Sequence, residues 1–140
     1  MSGALRLEQL NPGDWRQISA NAHWASFGRP RSPDFDRIDY SLFVHDGARP
    51  CAYATLIEID QESVYMQHGG AFPGTSKTTL TMRSYIMMTN WLKERYKTIS
   101  TQISNLNIPM LKMAMAVGFV ISGTELNEGE LFLKMLWKKT

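Results

Sequence analysis

Hydrophobic positions change their spacing several times along the chain, and these changes divide it into predicted strands and helices. Three leucines from Leu5 to Leu10 fit a short strand. The run Asn11-Pro12-Gly13-Asp14 then supplies a turn and a helix cap, and a helix is predicted from Trp15 to Phe27. The following stretch, Gly28 to Asp39, holds two prolines among charged residues and is predicted to be a loop.

Three β-rich runs follow this loop: Tyr40 to His45, Cys51 to Ile59 and Ser63 to His68. Asp46-Gly47 between the first two is a strong hairpin signal, so the three runs are predicted to form an antiparallel meander. The third run ends at Gly69-Gly70. Paired glycines in a strand indicate a bulge or a close approach by another backbone or a ligand.

The longest periodic segment, Thr78 to Arg95, is predicted to be the main amphipathic helix. The run Thr98 to Ser104 after it reads as a strand. A strand, a helix and a strand of these lengths predict a parallel strand pair joined by a crossover.

A third helix is predicted between Asn107, a capping residue, and Gly118, a glycine that suits the left-handed conformation at a helix C-terminus. Only Lys112 is polar between Ile108 and Val117, so this helix is expected to be buried on most sides.

Two final strands are predicted at Phe119 to Gly123 and Glu130 to Trp137, joined by a polar turn from Glu125 to Gly129. The last strand, Leu131 to Trp137, is expected to lie at the edge of the sheet. Such a strand could pair across a homodimer, or Lys134, Lys138 and Lys139 could protect it against pairing.

Composition fits one ordinary globular domain spanning residues 1–140. The chain is 44% apolar and 20% charged with a formal net charge of +2, which excludes disordered and collagen-like classes. The near-neutral charge argues against a nucleic-acid partner and favours small molecules or proteins. With no signal-like or membrane-length apolar run, and with Cys51 as its single cysteine, the protein is expected in the cytosol. The chain has no compact metal-ligand spacing, so no metal is predicted.

The segment NIPMLKMAMAVGF, from Asn107 to Phe119, begins with asparagine and has glycine and phenylalanine eleven and twelve places on. This spacing and the predicted element order resemble the GNAT family of N-acetyltransferases. The resemblance implies an α/β fold: a mixed, mostly antiparallel sheet of about six or seven strands flanked by helices, with a central parallel pair that splays apart. It also implies that acetyl-CoA enters the splay and that an acetyl group passes to a primary amine, with the three-strand meander and the loop from Gly28 to Asp39 shaping the acceptor site.

The resemblance places the cofactor at the loop before the main helix, because a helix N-terminus can hold a pyrophosphate. This loop lacks the alternating glycines of the family. Its hydroxyls and Lys77 could contact phosphate, or they could simply cap a helix beside a solvated lysine. The candidate cofactor-binding residues are Gly70, Gly74, Thr75, Ser76, Lys77, Thr78, Thr79 and Asn107.

Many members of the family carry a tyrosine on the closing helix, the one that follows Asn107 here, and this tyrosine protonates the departing thiolate. Ala114 stands at the matching position here, so another donor is needed, and Tyr65 and Tyr85 are candidates. His68 is the first candidate for a general base, with Glu58 and Glu62 ranked below it; the alternative for His68 is a histidine without chemistry.

Two functions remain open from the sequence. The first is an acetyl-CoA-dependent N-acetyltransferase. The second is a GNAT-fold protein that has lost catalysis and serves as a binding or assembly factor, which the irregular loop and Ala114 favour. The chain is also similar to small phage-encoded members of the family, including head-assembly proteins of P22-like phages, so the second hypothesis includes a virion-associated role.

Overall fold

The computed structural model of this chain describes residues 4–11, 38–72 and 79–140. The predicted helix from Trp15 to Phe27, most of the loop before Asp39 and the segment 73–78 lie outside the described residues. The helices and strands within them are β1 (Arg6–Leu10), β2 (Tyr40–His45), β3 (Pro50–Glu58), β4 (Ser63–Ala71), α1 (Thr79–Arg95), β5 (Thr98–Ser104), α2 (Ile108–Ala116), β6 (Val120–Asn127) and β7 (Glu130–Lys138).

One mixed sheet contains the seven described strands, in the order β1-β2-β3-β4-β5-β7-β6. Only β4 and β5 run parallel to each other, and every other neighbouring pair is antiparallel. The predicted mixed, mostly antiparallel sheet with one central parallel pair is therefore confirmed. Helix α1 connects the two parallel strands, as the strand-helix-strand pattern predicted.

Two hairpins follow the turn chemistry of their residues. Between β2 and β3, Gly47 has a φ of 93°, and the Asp46 carboxylate accepts the backbone N–H groups of Ala48 and Arg49 at 2.9 and 2.6 Å. These hydrogen bonds lower the pKa of Asp46 to about 2. Between β6 and β7 only Glu128 and Gly129 turn the chain, with φ of 51° and 82°, which fits a type I′ turn. The predicted turn from residue 125 was therefore too long, since β6 extends to Asn127.

Both described helices contribute to a core on one face of the sheet, which we call the helix face. Leucine, alanine and valine side chains from alternate positions of β2, β3 and β4 meet side chains from α1 and α2 there. The opposite face holds a smaller cluster of Ile38, Tyr53 and Phe72. The main residues of the larger core are Leu42, Val44, Ala54, Leu56, Val64, Tyr85, Met88, Leu92, Ile99, Leu111, Ala114, Phe119 and Met135.

Two predictions about the end of the chain were wrong. Helix α2 buries only Leu111 and Ala114, while Ile108 and Met115 are 50% and 48% exposed, so it is not buried on most sides. Strand β7 lies between β5 and β6 and is an interior strand. The edge at this end of the sheet is β6, because the two-residue turn folds β7 back between its neighbours.

Candidate functional site

The parallel strands β4 and β5 pair over a short distance and then separate. Their paired residues run from Ser63 and Thr98 to Met66 and Thr101. Beyond this point β4 continues along β3 to Ala71, and β5 continues along β7 to Ser104. The two strands therefore leave an opening in the middle of the sheet, and the predicted splay is present.

A β-bulge marks the start of this opening. In the β3–β4 pair, Leu56 lies opposite Met66 and Thr55 lies opposite His68, so Gln67 is the extra residue. A bulge bends its strand and increases the local twist, which turns β4 away from β5. The Thr101 hydroxyl donates to the Met66 carbonyl at 3.0 Å and closes the last paired position.

The fully buried Thr55 holds the bulge in place. Its hydroxyl oxygen accepts the backbone N–H of His68 at 3.1 Å, and the hydroxyl lies 3.4 Å from the Gln67 side-chain oxygen. The side chain of Thr55 thus supplies an acceptor to the backbone of β4 directly beside the bulge.

We expect the substitution Thr55→Val to lower the free energy of unfolding by about 1–3 kcal/mol, because it removes the hydroxyl acceptor from the part-buried N–H of His68. Urea unfolding followed by circular dichroism measures the change. The same substitution at half-buried Thr98 on β5 is the control. Equal losses at both positions would contradict a special role for Thr55.

His68 and Tyr65, the predicted catalytic residues, project from the same face of β4. Tyr65 lies opposite Ile57 and His68 lies opposite Thr55, and opposed residues of an antiparallel pair share a face. Without the bulge at Gln67, residues three apart would point in opposite directions. Both side chains are half-buried on the face opposite α1 and α2, and His68 stands just beyond the last paired position.

The glycine pair has a packing role that the sequence did not specify. A Cβ at Gly70 would lie 3.1 Å from Cε1 of Tyr53, so the missing side chain makes room for that ring. Gly69 lies opposite Ala54 on the helix face and leaves that side of β4 without a side chain. The bulge itself is at Gln67 and not at the glycines.

Only part of the predicted cofactor site is described. Gly74, Thr75, Ser76, Lys77 and Thr78 lie outside the described residues. Thr79 is the exposed first residue of α1. Asn107 is the N-cap of α2, and its side-chain oxygen accepts the Met110 N–H at 3.3 Å, as the sequence predicted. Because α2 follows β5, this cap lies beyond the end of the strand that borders the opening.

The position matching the family's tyrosine supplies no proton donor. Ala114 is fully buried on the helix face. Among the described residues, the Tyr85 hydroxyl is buried without a hydrogen-bond partner, and burial raises its pKa, so the phenol stays protonated at neutral pH. A buried hydroxyl without a partner is uncommon, which keeps Tyr85 beside Tyr65 as a candidate donor.

Glu58 and Glu62 lie at the other end of the parallel pair, where β4 and β5 are still joined. Glu58 is opposite Val64, and Glu62 precedes β4 and forms an ion pair with Lys97 at 3.1 Å. Neither carboxylate borders the opening, so the geometry favours His68 over both.

Glu58 belongs instead to a hydrogen-bonded chain that the sequence did not reveal. The Tyr96 hydroxyl donates to Glu58 at 2.6 Å, and the Tyr40 hydroxyl lies 2.6 Å from that of Tyr96. Since Tyr96 gives its only hydroxyl proton to Glu58, Tyr40 must donate to Tyr96. Burial raises the pKa of Tyr40 to about 12 and also raises that of Tyr96. Tyr96 is 38 positions from Glu58 and 56 positions from Tyr40, so no local sequence pattern indicates these contacts.

Residues 4–11, 38–72 and 79–140 contain no group of three or more histidine, cysteine or acidic side chains arranged to hold a metal ion. Neither α1 nor α2 combines the length and apolar character needed to cross a bilayer.

Solved structures with this fold are numerous, although no protein-family model and no curated protein sequence matches the chain. The ribosomal-protein-S18-alanine N-acetyltransferase of Escherichia coli is 12% identical, with a TM-score of 0.80 over 96% of this chain and 94% of that one. A spermidine N-acetyltransferase from Vibrio cholerae, solved with CoA and spermine, is 16% identical, with a TM-score of 0.74 over 96% and 95%. A GNAT-family acetyltransferase from Bacillus cereus is 17% identical, with a TM-score of 0.71 over 99% of both chains. The chain therefore has the GNAT fold.

Proposed function

We propose that this protein is an acetyl-CoA-dependent N-acetyltransferase that acts on a primary amine. The observation that supports this most is the opening between β4 and β5, created by the bulge at Gln67 and closed at one end by Thr101. A likeness of fold alone does not establish an activity, so the proposal rests on what the residues at this opening can do.

The helix face of the opening suits an extended thioester. Gly69 carries no side chain there, and its neighbour across the strand pair is the small residue Ala54. Past Met66, alternate backbone N–H and C=O groups of β4 face the opening rather than β5. A pantetheine-like chain could lie against this strand as an additional strand would, with its phosphates near the start of α1.

The opposite face of the opening suits the amine. His68 and Tyr65 both project from that side of β4. In the proposed reaction His68 accepts a proton from the ammonium form of the substrate, and the amine nitrogen then forms a bond to the acetyl carbonyl carbon. Backbone N–H groups that face the opening donate to the carbonyl oxygen as it gains negative charge.

Acetyl-CoA, when bound, supplies an activated acyl group whose C–S bond breaks with its electron pair leaving on sulfur. A donor on the chain protonates that sulfur, and the second proton that the amine nitrogen loses as the amide forms returns to this donor. Ala114 has no proton to give, so two tyrosines are the candidate donors: Tyr65, on the face of His68, and Tyr85 of α1, which is buried on the helix face, the side of the proposed thioester.

Calorimetry with acetyl-CoA tests the proposal directly. We expect micromolar binding by the wild-type protein and at least a tenfold weaker affinity for Gly69→Leu, whose side chain would occupy the helix face of the opening. The matched control is Gly69→Ala, because its Cβ meets the same Tyr53 carbonyl oxygen at 3.3 Å but adds no further bulk.

Release of free CoA in the presence of a panel of primary amines then measures the transfer itself. If acetyl-CoA binds but no amine causes release of CoA, the transferase activity is ruled out and the protein is a CoA-binding protein. No binding by the wild type would overturn both, and the alternative of an inactive binding or assembly factor would replace them. Ala114, buried and without a hydroxyl, is the observation that favours this alternative.

A further inference from the structure

Strand β6 forms one edge of the sheet and exposes an apolar surface. It pairs with β7 on one side, and no described strand pairs with its other side. Val120, Ile121 and Leu126 are 61%, 49% and 71% exposed. Edge strands that stay single usually carry lysines, prolines or several charges. Between Val120 and Asn127 there is no lysine or proline, and Glu125 is the single charged residue.

A bulge in β6 decides which of its side chains share a face. Ile121 lies opposite Met135 and Gly123 lies opposite Lys134, so Ser122 is the extra residue. Thr124 and Leu126 lie opposite Leu133 and Leu131, which alternate with Met135 on the helix face. Ile121, Thr124 and Leu126 therefore point to the helix face, while Gly123 and Glu125 point to the other.

We propose that β6 pairs antiparallel with β6 of a second copy of this chain, with the two-fold axis at Thr124, joining two seven-stranded sheets. In this register Thr124 faces the partner's Thr124. Leu126 then lies two positions from the axis toward the C-terminal end of β6. Because Ser122 is an extra residue, Ile121 takes the position two places from the axis toward the N-terminal end. Each Leu126 thus meets the partner's Ile121 on the helix face, twice per dimer.

The charges on the other face are complementary in the same register. A Cβ at Gly123 would lie 3.7 Å from Cδ of Lys134, so the lysine side chain crosses the glycine. Pairing at Thr124 sets the partner's Glu125 opposite Gly123 and therefore beside Lys134. Two symmetry-related Glu125–Lys134 ion pairs result, and the absent side chain of Gly123 leaves room for them.

Neighbouring registers lack this match. An axis at Glu125 would oppose two like charges directly, which destabilises a strand pair. An axis at Gly123 would oppose two glycines and set Glu125 near Val120 and Ile121 instead of Lys134. Of these three registers, only the one centred on Thr124 is self-complementary, which is the property that a symmetric seam requires.

Sedimentation velocity on the full chain tests the seam through its charges. We expect the wild-type protein to dimerise at micromolar concentration and Glu125→Lys to raise the dimer dissociation constant at least tenfold. Adding Lys134→Glu to that variant restores the pair with reversed signs, so the double variant should dimerise again. Glu128→Lys, in the turn beyond β6, is the matched control and should dimerise like the wild type.

Thermal unfolding of each variant separates lost dimerisation from lost folding. A folded wild-type protein that stays monomeric would overturn the proposal. A dimer that Glu125→Lys leaves unchanged, or a folded double variant that fails to recover, would place the contact on another surface and overturn it as well. None of these results depends on acetyl-CoA.

A cross-link tests the register itself. Thr124→Cys places two thiols opposite each other at the two-fold axis, so mild oxidation should give a covalent dimer on a non-reducing gel. Glu128→Cys should remain monomeric under the same treatment. The native Cys51 is buried and far along the chain, in β3, so it does not compete. Equal cross-linking at both positions would contradict the register.

Discussion

We expect His68→Asn to lower kcat/KM for acetyl transfer by about 10²–10⁴-fold, the range typical of a lost general base. The substitution removes the imidazole but keeps the backbone N–H that Thr55 accepts at 3.1 Å, so the bulge and the opening should persist. Calorimetric affinity for acetyl-CoA should therefore be unchanged, because in the proposed geometry the thioester lies on the other face of β4.

The pH profile distinguishes a base from a merely structural histidine. With His68 as base, kcat/KM should rise with pH to a plateau as the neutral imidazole becomes available to accept a proton, which gives the profile an inflection. In His68→Asn that inflection should disappear, and added imidazole should restore part of the rate.

His45→Asn is the matched control for this experiment. His45 lies at the end of β2, 3.4 Å from Glu8 on the edge strand β1, and does not border the opening. Its replacement should leave both the rate and the pH profile intact. If His68→Asn has the wild-type rate, His68 is not the general base. The acetyl-CoA site would still be tested separately by the Gly69 variants.

The order of the described strands and helices was predictable because its signals are local. Alternating apolar residues, the Asp46-Gly47 turn and the Asn107 cap each act within a few residues of the chain, and each appears where the sequence indicated. The parallel pair followed from the same reasoning, since a helix between two strands leaves little choice of direction.

The opening itself was predicted only through the family resemblance, and its cause was not foreseen. The bulge depends on Thr55, which lies 13 residues before His68 and reads in the sequence as one more β-branched strand residue. The Gly69-Gly70 pair correctly indicated that β4 is unusual. At Gly70, however, the space left by the missing side chain is filled by the ring of Tyr53. Contacts between strands decide such features, and a single sequence does not display them.

Errors at the end of the chain have a common origin. The nearly continuous apolar run in α2 suggested a buried helix. The place of β7 as the last strand in the sequence suggested that it lies at the edge of the sheet. Folding back through Glu128 and Gly129 instead puts β7 inside the sheet and leaves β6 at its edge. Apolar residues of both elements are exposed, Leu126 on β6 and Met115 on α2. We attribute part of that exposed surface, on β6, to the proposed dimer.

The motif that carried the family resemblance is largely a packing motif. Its residues Leu111, Ala114 and Phe119 are buried against the helix face, and the Phe119 N–H donates to the Ala114 carbonyl at 3.0 Å as α2 ends. Gly118 has a φ of 104°, which fits the left-handed end of a helix. These roles identify the fold, but they say little about catalysis.

We therefore expect Phe119→Ala to lower the free energy of unfolding by about 3–5 kcal/mol, the usual cost of removing a buried aromatic ring from a core. A domain of ordinary stability has about 5–15 kcal/mol in total, so this loss is a large share of it. Ile108→Ala, at a half-exposed position of the same motif, should cost much less. Urea unfolding at equal protein concentration compares the two. Similar losses would mean that the motif's residues matter equally, whatever their burial, and would contradict its reading as a packing element.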